Sequence, residues 1–224
     1  MSDLCARLHR EFQQSPVFSF PFEDSAIPLN GIYVLYEARE TAHGANRIVR
    51  VGAHTGKNQL RSRLKQHFVN EQKDRSIFRK NIGRALLNRD KDPFLTQWEI
   101  DLTTSEAKRT HGPTIDRAKQ STVEHMVTEV IQKHFHFAAF RVDEKDKRLE
   151  LEARMIATIS RCEDCGPSHQ WLGLHSPKTK IRNSGLWLVN ELYGDPFSET
   201  GFNELGRAVR QLQKGEHGHP MDHY

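Results

Sequence analysis

The stretch GIYVLYEARETAHGANRIVRVG, residues 31–52, decides the fold that we predict for this chain. Two runs rich in Ile, Val and Tyr lie on either side of a polar segment that contains Gly44. Strands of this composition that are joined by a short, glycine-containing turn predict a β-hairpin. We therefore expect strands over residues 31–37 and 47–52, with the turn inside residues 42–46.

Helical spacing begins shortly after the hairpin. Leu60, Leu64 and Phe68 recur every four residues and predict a helix that starts near residue 59. We predict further helices over residues 1–15, 76–87, 115–134, 148–159, 186–193 and 199–214, strands over 94–102 and 136–142, a loop over 103–114 and a disordered polar tail over 216–224. Mixed helices and strands with an opening hairpin favour an α/β fold of the α+β type with an antiparallel sheet.

Composition excludes several classes of protein. Of the 224 residues, 36% are hydrophobic and 28% are charged, as in ordinary soluble proteins. No apolar run approaches the roughly 18 residues of a membrane helix, and the first residues contain no apolar signal core. The three cysteines, Cys5, Cys162 and Cys165, are an odd number and argue against a disulfide framework. We expect a cytoplasmic protein with no membrane association.

Basic residues are concentrated in one segment. Residues 44–91 contain 13 Lys and Arg and three acids, a net charge of +10 in a chain whose total is +4. Such a concentration suits a polyanionic partner, although a solvated helical face is the alternative. The residues that we expect to bind nucleic acid are Arg47, Lys57, Arg61, Lys65, Arg79 and Lys80.

Three positions could carry chemistry, and each has a plainer alternative. Arg63 and His67 are four apart, so they share a helix face and suit phosphate binding, or are a surface pair. Glu152 lies beside an apolar stripe and would need a cationic partner there, unless it turns out to solvent. A strand tyrosine such as Tyr33 is most often a packing residue.

Together these elements resemble the GIY-YIG nucleases. Gly31-Ile32-Tyr33 matches the first motif of the family, and Arg50-Val51-Gly52 stands at the second. LRSRLKQHF, residues 60–68, looks like the family's helix with its Arg, and LEARMI, residues 151–156, looks like the helix with its metal-binding Glu. The order of four elements makes the resemblance specific, and it covers roughly residues 30–172.

The resemblance implies a small three-stranded antiparallel sheet flanked by helices. We divide the chain into an N-terminal extension at 1–29, a nuclease domain at 30–175 and a C-terminal extension with the disordered tail at 176–224. The resemblance also implies a metal-dependent DNA endonuclease with one Mg²⁺ or Mn²⁺ bound to Glu152. Arg63 would clamp the phosphate, Tyr33 would serve the nucleophile, and His67 would bond to either. DNA is the expected partner, and a homodimer is left open.

Two features depart from the family pattern. Arg50 replaces the second-motif tyrosine, so the alternative is a non-catalytic module that binds nucleic acid, although Arg50 could instead adjust the site. The family asparagine has Gln170 or Asn183 as its nearest equivalents, and the sequence does not decide between them. His54 is a further catalytic candidate, or equally a loop histidine.

A Cys-x-x-Cys pair, Cys162 and Cys165, precedes His169 and His175. The pair suits zinc, but a second ligand pair at standard spacing is absent. We therefore favour a loop without metal over a structural zinc site in this segment.

Overall fold

The fold was obtained as a computed structural model that describes residues 2–203, 205 and 206. The described residues form one four-stranded antiparallel sheet in the order β1-β4-β2-β3, with helices around it. The strands are β1 (Phe18–Ser19), β2 (Gly31–Ala42), β3 (Ala45–Gly52) and β4 (Phe135–Arg141). The predicted α+β class is therefore confirmed. The sheet has one strand more than predicted, because the two residues of β1 pair with the edge of β4.

The helices surround this sheet. They are α1 (Ser2–Gln13), α2 (Leu60–Phe68), α3 (Ile77–Arg89), α4 (Leu95–Glu99), α5 (Ser105–His111), α6 (Arg117–His134), α7 (Lys145–Ser160) and α8 (Thr179–Ser184). Residues 199–203, 205 and 206 are also helical, whereas the rest of the last predicted helix and the predicted disordered tail lie outside the described residues. Among the residues that are described, no helix has the length and apolar character needed to cross a bilayer.

The hairpin forms where the sequence predicts it. Ala42 pairs with Ala45, and the two residues between them, His43 and Gly44, have φ values of 53° and 73°. Two successive positive φ values characterise the tight turn whose twist matches that of paired strands.

The alternating residues of β2 divide the core into two clusters. Ile32, Val34 and Tyr36 pack in one cluster with residues of α1 and α7. Tyr33 and Leu35 pack in the other with α2, α3 and α6. The sheet thus separates two helical layers, and α2 and α7, which carry the predicted site residues, lie on opposite faces.

Three predicted elements are wrong. The predicted strand at 94–102 is absent, and residues 95–99 form α4 instead. Phe94 and Trp98 lie four residues apart, on one helix face, and the Trp98 indole N–H donates to Lys80 O at 3.0 Å. The predicted loop at 103–114 contains α5, whose first turn is capped by Thr104 Oγ1 at 3.1 Å from Ala107 N.

The third error concerns residues 186–193, which do not form the predicted helix. The helix α8 lies earlier and ends at Gly185, which has a φ of 67°. Glycine adopts this left-handed conformation more easily than residues with a Cβ, and it commonly terminates helices in this way. The chain then returns to the sheet, where Trp187 N donates to Val49 O at 2.7 Å.

Candidate active site

Tyr33 and His67 form a buried pair between β2 and α2. The Tyr33 hydroxyl lies 2.6 Å from His67 Nε2, and His67 Nδ1 lies 2.7 Å from Ser76 Oγ. All three residues are fully buried. Burial lowers the pKa of His67 well below its usual value, and the charges of Arg63, Arg50 and Arg79 lower it further. The imidazole is therefore neutral at physiological pH.

Ser76 links this pair to the start of α3. Its Oγ accepts the Arg79 N–H at 3.2 Å as the cap of α3, and it can also donate to His67 Nδ1 or accept from it. In the tautomer with the proton on Nε2, His67 accepts at Nδ1 and donates to the Tyr33 oxygen, whereas in the other tautomer the Tyr33 hydroxyl donates to Nε2.

Gly52 explains why the second motif ends in glycine. It pairs with Tyr33 across the hairpin, and a Cβ at this position would lie 2.3 Å from the Tyr33 hydroxyl oxygen. Real Cβ atoms do not approach other atoms so closely. Any side chain here would therefore displace the tyrosine. The first motif begins with glycine for a similar steric reason, because a Cβ at Gly31 would lie 2.1 Å from the Phe140 carbonyl oxygen.

Glu152 reaches the same end of the hairpin from the other face of the sheet. Its Oε1 accepts the N–H of Ala53, the residue directly after Gly52, at 2.9 Å. Burial raises the pKa of Glu152, whereas the charge of Arg50, the Ala53 N–H and the charge of Arg63 act in the opposite direction. A partly buried carboxylate with a raised pKa is stabilised by a bound cation.

Arg63 and Glu152 line one cavity of about 340 Å³ at the end of β3. Arg63 is held by hydrogen bonds from its Nη1 to Gln66 Oε1 at 3.1 Å and to Arg75 O at 3.0 Å. The other lining residues are Ala53, His54, Thr55, Gln59, Ser62, Gln66 and Leu149. The predicted phosphate clamp and the predicted metal ligand are thus brought together, although they are 89 positions apart in the sequence.

Arg50 lies close enough to both His67 and Glu152 for its charge to lower the pKa of each. It pairs with Leu35, two positions from Tyr33 on the same side of the sheet, and it is buried with its guanidinium above the Phe78 ring. One nitrogen donates to Trp187 O at 2.5 Å, but Nε has no hydrogen-bond partner among the described residues. A buried unpaired donor is costly, and because this nitrogen is not accessible, Arg50 acts on the site through its charge.

His54 lines the cavity but is held by backbone groups on both sides. Its Nε2 accepts the Gly31 N–H at 3.2 Å, and Nδ1 donates to Gly56 O at 2.7 Å. Burial lowers the pKa of His54, and the charge of Arg148 lowers it further, whereas the hydrogen bond to Gly56 raises it. His54 therefore joins the start of β2 to the turn after β3 and has no free nitrogen for substrate.

The donors around Glu152 suit a hard divalent cation. The carboxylate is accompanied by side-chain oxygens of Gln59, Ser62 and Gln66 in the same cavity. Magnesium prefers oxygen ligands and is commonly held by one or two carboxylates, with water and substrate phosphate completing its shell. The residues present therefore fit the predicted Mg²⁺ or Mn²⁺.

Several of the predicted DNA-binding residues are internal. Arg47 and Arg79 are fully buried and form ion pairs with Glu40 and Glu124 at 2.6 and 2.9 Å, and Lys80 is buried beside Asp74. A side chain without exposed surface cannot reach a phosphate. The charge count treated these structural cations as surface charge, and we leave the three out of the DNA-binding set.

The other three cations are more accessible. Lys57 is exposed, and Lys65 is half-exposed with an ion pair to Asp24. The guanidinium of Arg61 instead donates to Ile27 O at 2.7 Å and to Ser25 O at 3.5 Å, so it anchors the segment before β2. Lys57 and Lys65 remain candidates for DNA contact, whereas Arg61 has a structural role.

Sequence reasoning missed two groups of residues. Gln170 lines a different cavity, next to Glu37 and Trp171, and Asn183 is exposed on α8. Neither lines the cavity of Glu152. The amides that line it are those of Gln59 and Gln66, at the start of α2 and within it.

The second missed group lies in a larger cavity of about 710 Å³ beside the first. Its exposed cations are Lys57, Arg141 and Lys145. Arg141 ends β4 and Lys145 begins α7, outside the basic segment that the charge count selected. Thr55 borders both cavities. Nothing in the sequence indicated that Arg141 and Lys145 lie near it.

Comparison with known proteins gives one match. Residues 2–215 match the family described as GIY-YIG domain, and the match includes residues 2–29 and 176–215 of the regions predicted as extensions. No curated protein and no solved structure matches the chain significantly. The predicted boundaries at residues 29 and 175 stay a prediction.

Proposed function

This chain belongs to the GIY-YIG nuclease family, and we propose that it is an endonuclease that hydrolyses phosphodiester bonds in DNA with one Mg²⁺ or Mn²⁺. The family supports a nuclease-type function in general. The observation that carries the more specific proposal is the shared cavity of Arg63 and Glu152 at the end of β3, next to the Tyr33–His67 pair.

Each residue has a role that its surroundings allow. Glu152 would hold the metal ion through the carboxylate oxygen that does not bond to Ala53. The bound metal ion supplies positive charge that stabilises the leaving oxygen. Arg63 donates to non-bridging phosphate oxygens, and the buried Arg50 adds a positive charge that favours the ionised form of Glu152. Tyr33 in its ionised form, with His67 donating from Nε2 to its oxygen, would accept the proton of the attacking water and become a neutral hydroxyl.

DNA reaches this cavity along exposed cations. Lys57, Arg141 and Lys145 border the neighbouring cavity, and Lys65 lies one helical turn beyond Arg61 on α2. These side chains would contact the phosphate backbone, which fixes the position of the duplex without reading its sequence. Binding should therefore weaken as salt concentration rises.

Substitution of Arg63 by lysine tests the proposal. Arg63→Lys keeps the charge but replaces a planar fork of donors by a single ammonium group. Loss of one such donor at a developing charge typically lowers the rate on the order of a hundredfold or more. We expect Mg²⁺-dependent nicking of supercoiled plasmid to fall by that factor, while DNA affinity measured by fluorescence anisotropy stays near wild type.

Arg61→Lys is the matched control. It lies two positions away, about 200° round the helix, and its guanidinium contacts the chain at residues 25 and 27. It should nick plasmid almost normally. Equal losses at both positions would mean that α2 contributes only charge. Wild-type protein that binds DNA but cuts neither plasmid nor single-stranded DNA would support the non-catalytic alternative instead.

A further inference from the structure

Four metal-binding side chains meet on the side of the sheet away from Tyr33. Cys5 and His9 are one turn apart on α1, His43 lies in the hairpin turn, and Cys165 follows α7. One nitrogen or sulfur atom of each lies within 4.8 Å of one from every other. Three of the four are buried, and His43 is half-buried. Three distant segments thus converge on one point.

We propose that Cys5, His9, His43 and Cys165 bind one structural Zn²⁺. Two thiols and two imidazoles form a donor set that suits zinc, and a closed set of four is typical of structural sites. Magnesium and calcium prefer oxygen ligands, so this site is chemically distinct from the one at Glu152. All three cysteines are free thiols and therefore available as ligands.

The geometry around His9 agrees with this assignment. Its Nε2 lies 3.6 Å from Cys165 Sγ. Tetrahedral zinc with bonds of about 2.1 Å to nitrogen and 2.3 Å to sulfur places such a pair of ligand atoms about 3.6 Å apart. Nδ1 lies 2.9 Å from Cys5 O and donates to it, and ligating histidines commonly donate their second ring N–H to a carbonyl in this way. The Ile48 N–H now donates to Nε2 at 3.2 Å, and zinc would take its place as the partner of that nitrogen.

Cys162 lies beside the site and has a different role. Its Sγ is 3.4 Å from His43 Nε2. In the tautomer with the proton on Nε2, His43 donates to this sulfur and keeps Nδ1 as the nitrogen with a free lone pair. Cys162 therefore orients a ligand, and the four ligands are complete without it.

The ligand set differs from the one that the sequence spacing indicated. His169 and His175 are exposed and do not join Cys165. The proposed zinc would instead tie α1 and the hairpin turn to the segment after α7, the helix that carries Glu152. It would therefore hold residues 2–13 against the sheet, and its contribution is to stability, independent of whether the protein cuts DNA.

Metal analysis of the full chain tests this site. Protein purified under reducing conditions, without chelator or histidine tag, should contain one zinc per chain by plasma mass spectrometry. Cys5→Ser and Cys165→Ser should reduce this content to near zero, and Cys162→Ser, the same chemical change at the adjacent thiol, should keep it. Chelation of the wild-type metal should lower the melting temperature, and added Zn²⁺ should restore it.

Cobalt substitution covers the case in which the serine variants do not fold. Wild-type protein reloaded with Co²⁺ should show the visible bands of tetrahedral cobalt and a thiolate charge-transfer band. Wild-type protein that takes up neither metal, or in which Cys5 and Cys165 become disulfide-linked without reductant, would overturn the proposal. Zinc lost in Cys162→Ser but retained in Cys5→Ser would overturn the ligand set.

Discussion

Replacement of Glu152 by glutamine should separate metal binding from folding. The new side chain could still accept the Ala53 N–H through its amide oxygen, in place of the carboxylate oxygen that now lies at 2.9 Å. The substitution removes a negative charge from a group whose pKa is raised by burial. A group with a raised pKa in the folded state destabilises the protein above that pKa. The E152Q protein should therefore be at least as stable as wild type at pH 8 without Mg²⁺.

The expected effect of the metal can be worked out. A ligand at about 100 times its Kd stabilises the folded state by about 2.7 kcal/mol. For a chain of this size each kcal/mol raises the melting temperature by roughly 2–4 °C, so saturating Mg²⁺ should raise that of the wild type by roughly 5–11 °C. E152Q should show little of this increase and no plasmid cleavage, with DNA affinity nearly unchanged.

Differential scanning fluorimetry at pH 8, with and without Mg²⁺, measures both quantities. Glu150→Gln is the matched control, because Glu150 is exposed on the same helix and pairs with Arg154 at the surface. Such a surface pair contributes only about 0–1 kcal/mol. An equal Mg²⁺-dependent shift in E152Q and wild type, or loss of the shift in E150Q, would refute the assignment of the metal ligand.

Three further predictions concern the hairpin and its surroundings. Tyr33→Phe leaves a nitrogen of His67 unpaired in the core. It should lower the free energy of unfolding in urea by about 1–3 kcal/mol and the single-turnover cleavage rate by about 10²–10⁴-fold. Cleavage at the wild-type rate would contradict the role of Tyr33. Gly52→Ala should lose cleavage to a similar extent, because its Cβ would lie 2.3 Å from the Tyr33 hydroxyl, whereas Gly194→Ala, with no contact under 3.5 Å, should cut normally in the same assay. Burial raises the pKa of Glu37 to about 7, although the hydrogen bonds from the indole N–H groups of Trp187 and Trp171 lower it. The free energy of unfolding of the wild type should therefore fall by on the order of 3 kcal/mol as pH rises from about 4.5 to about 7. Glu37→Gln should remove that loss in denaturation at pH 5 and pH 8, and the same pH dependence in both proteins would count against a neutral Glu37.

The sequence by itself determined the elements whose signals are local. The hairpin, α2, α3, α6, β4 and α7 were predicted because alternation and four-residue spacing report which face of an element is buried. The order of Tyr33, Arg63 and Glu152 along these elements was enough to indicate the family, since each residue belongs to an element that the pattern identifies. Gly52 was recognised as part of a motif, but its contact with Tyr33 was not.

Only the tertiary structure decided which charges are accessible and which distant residues meet. Six of the 13 cations in residues 44–91 are buried, and a charge count cannot distinguish them, because burial depends on partners such as Glu40 and Glu124 outside that segment. The short helix α4 was mistaken for a strand, because an apolar run of a few residues fits either state until packing decides. Cys5, His9, His43 and Cys165 lie up to 160 residues apart, and no spacing rule connects them. They meet because α1 and the segment after α7 both pack around the hairpin turn.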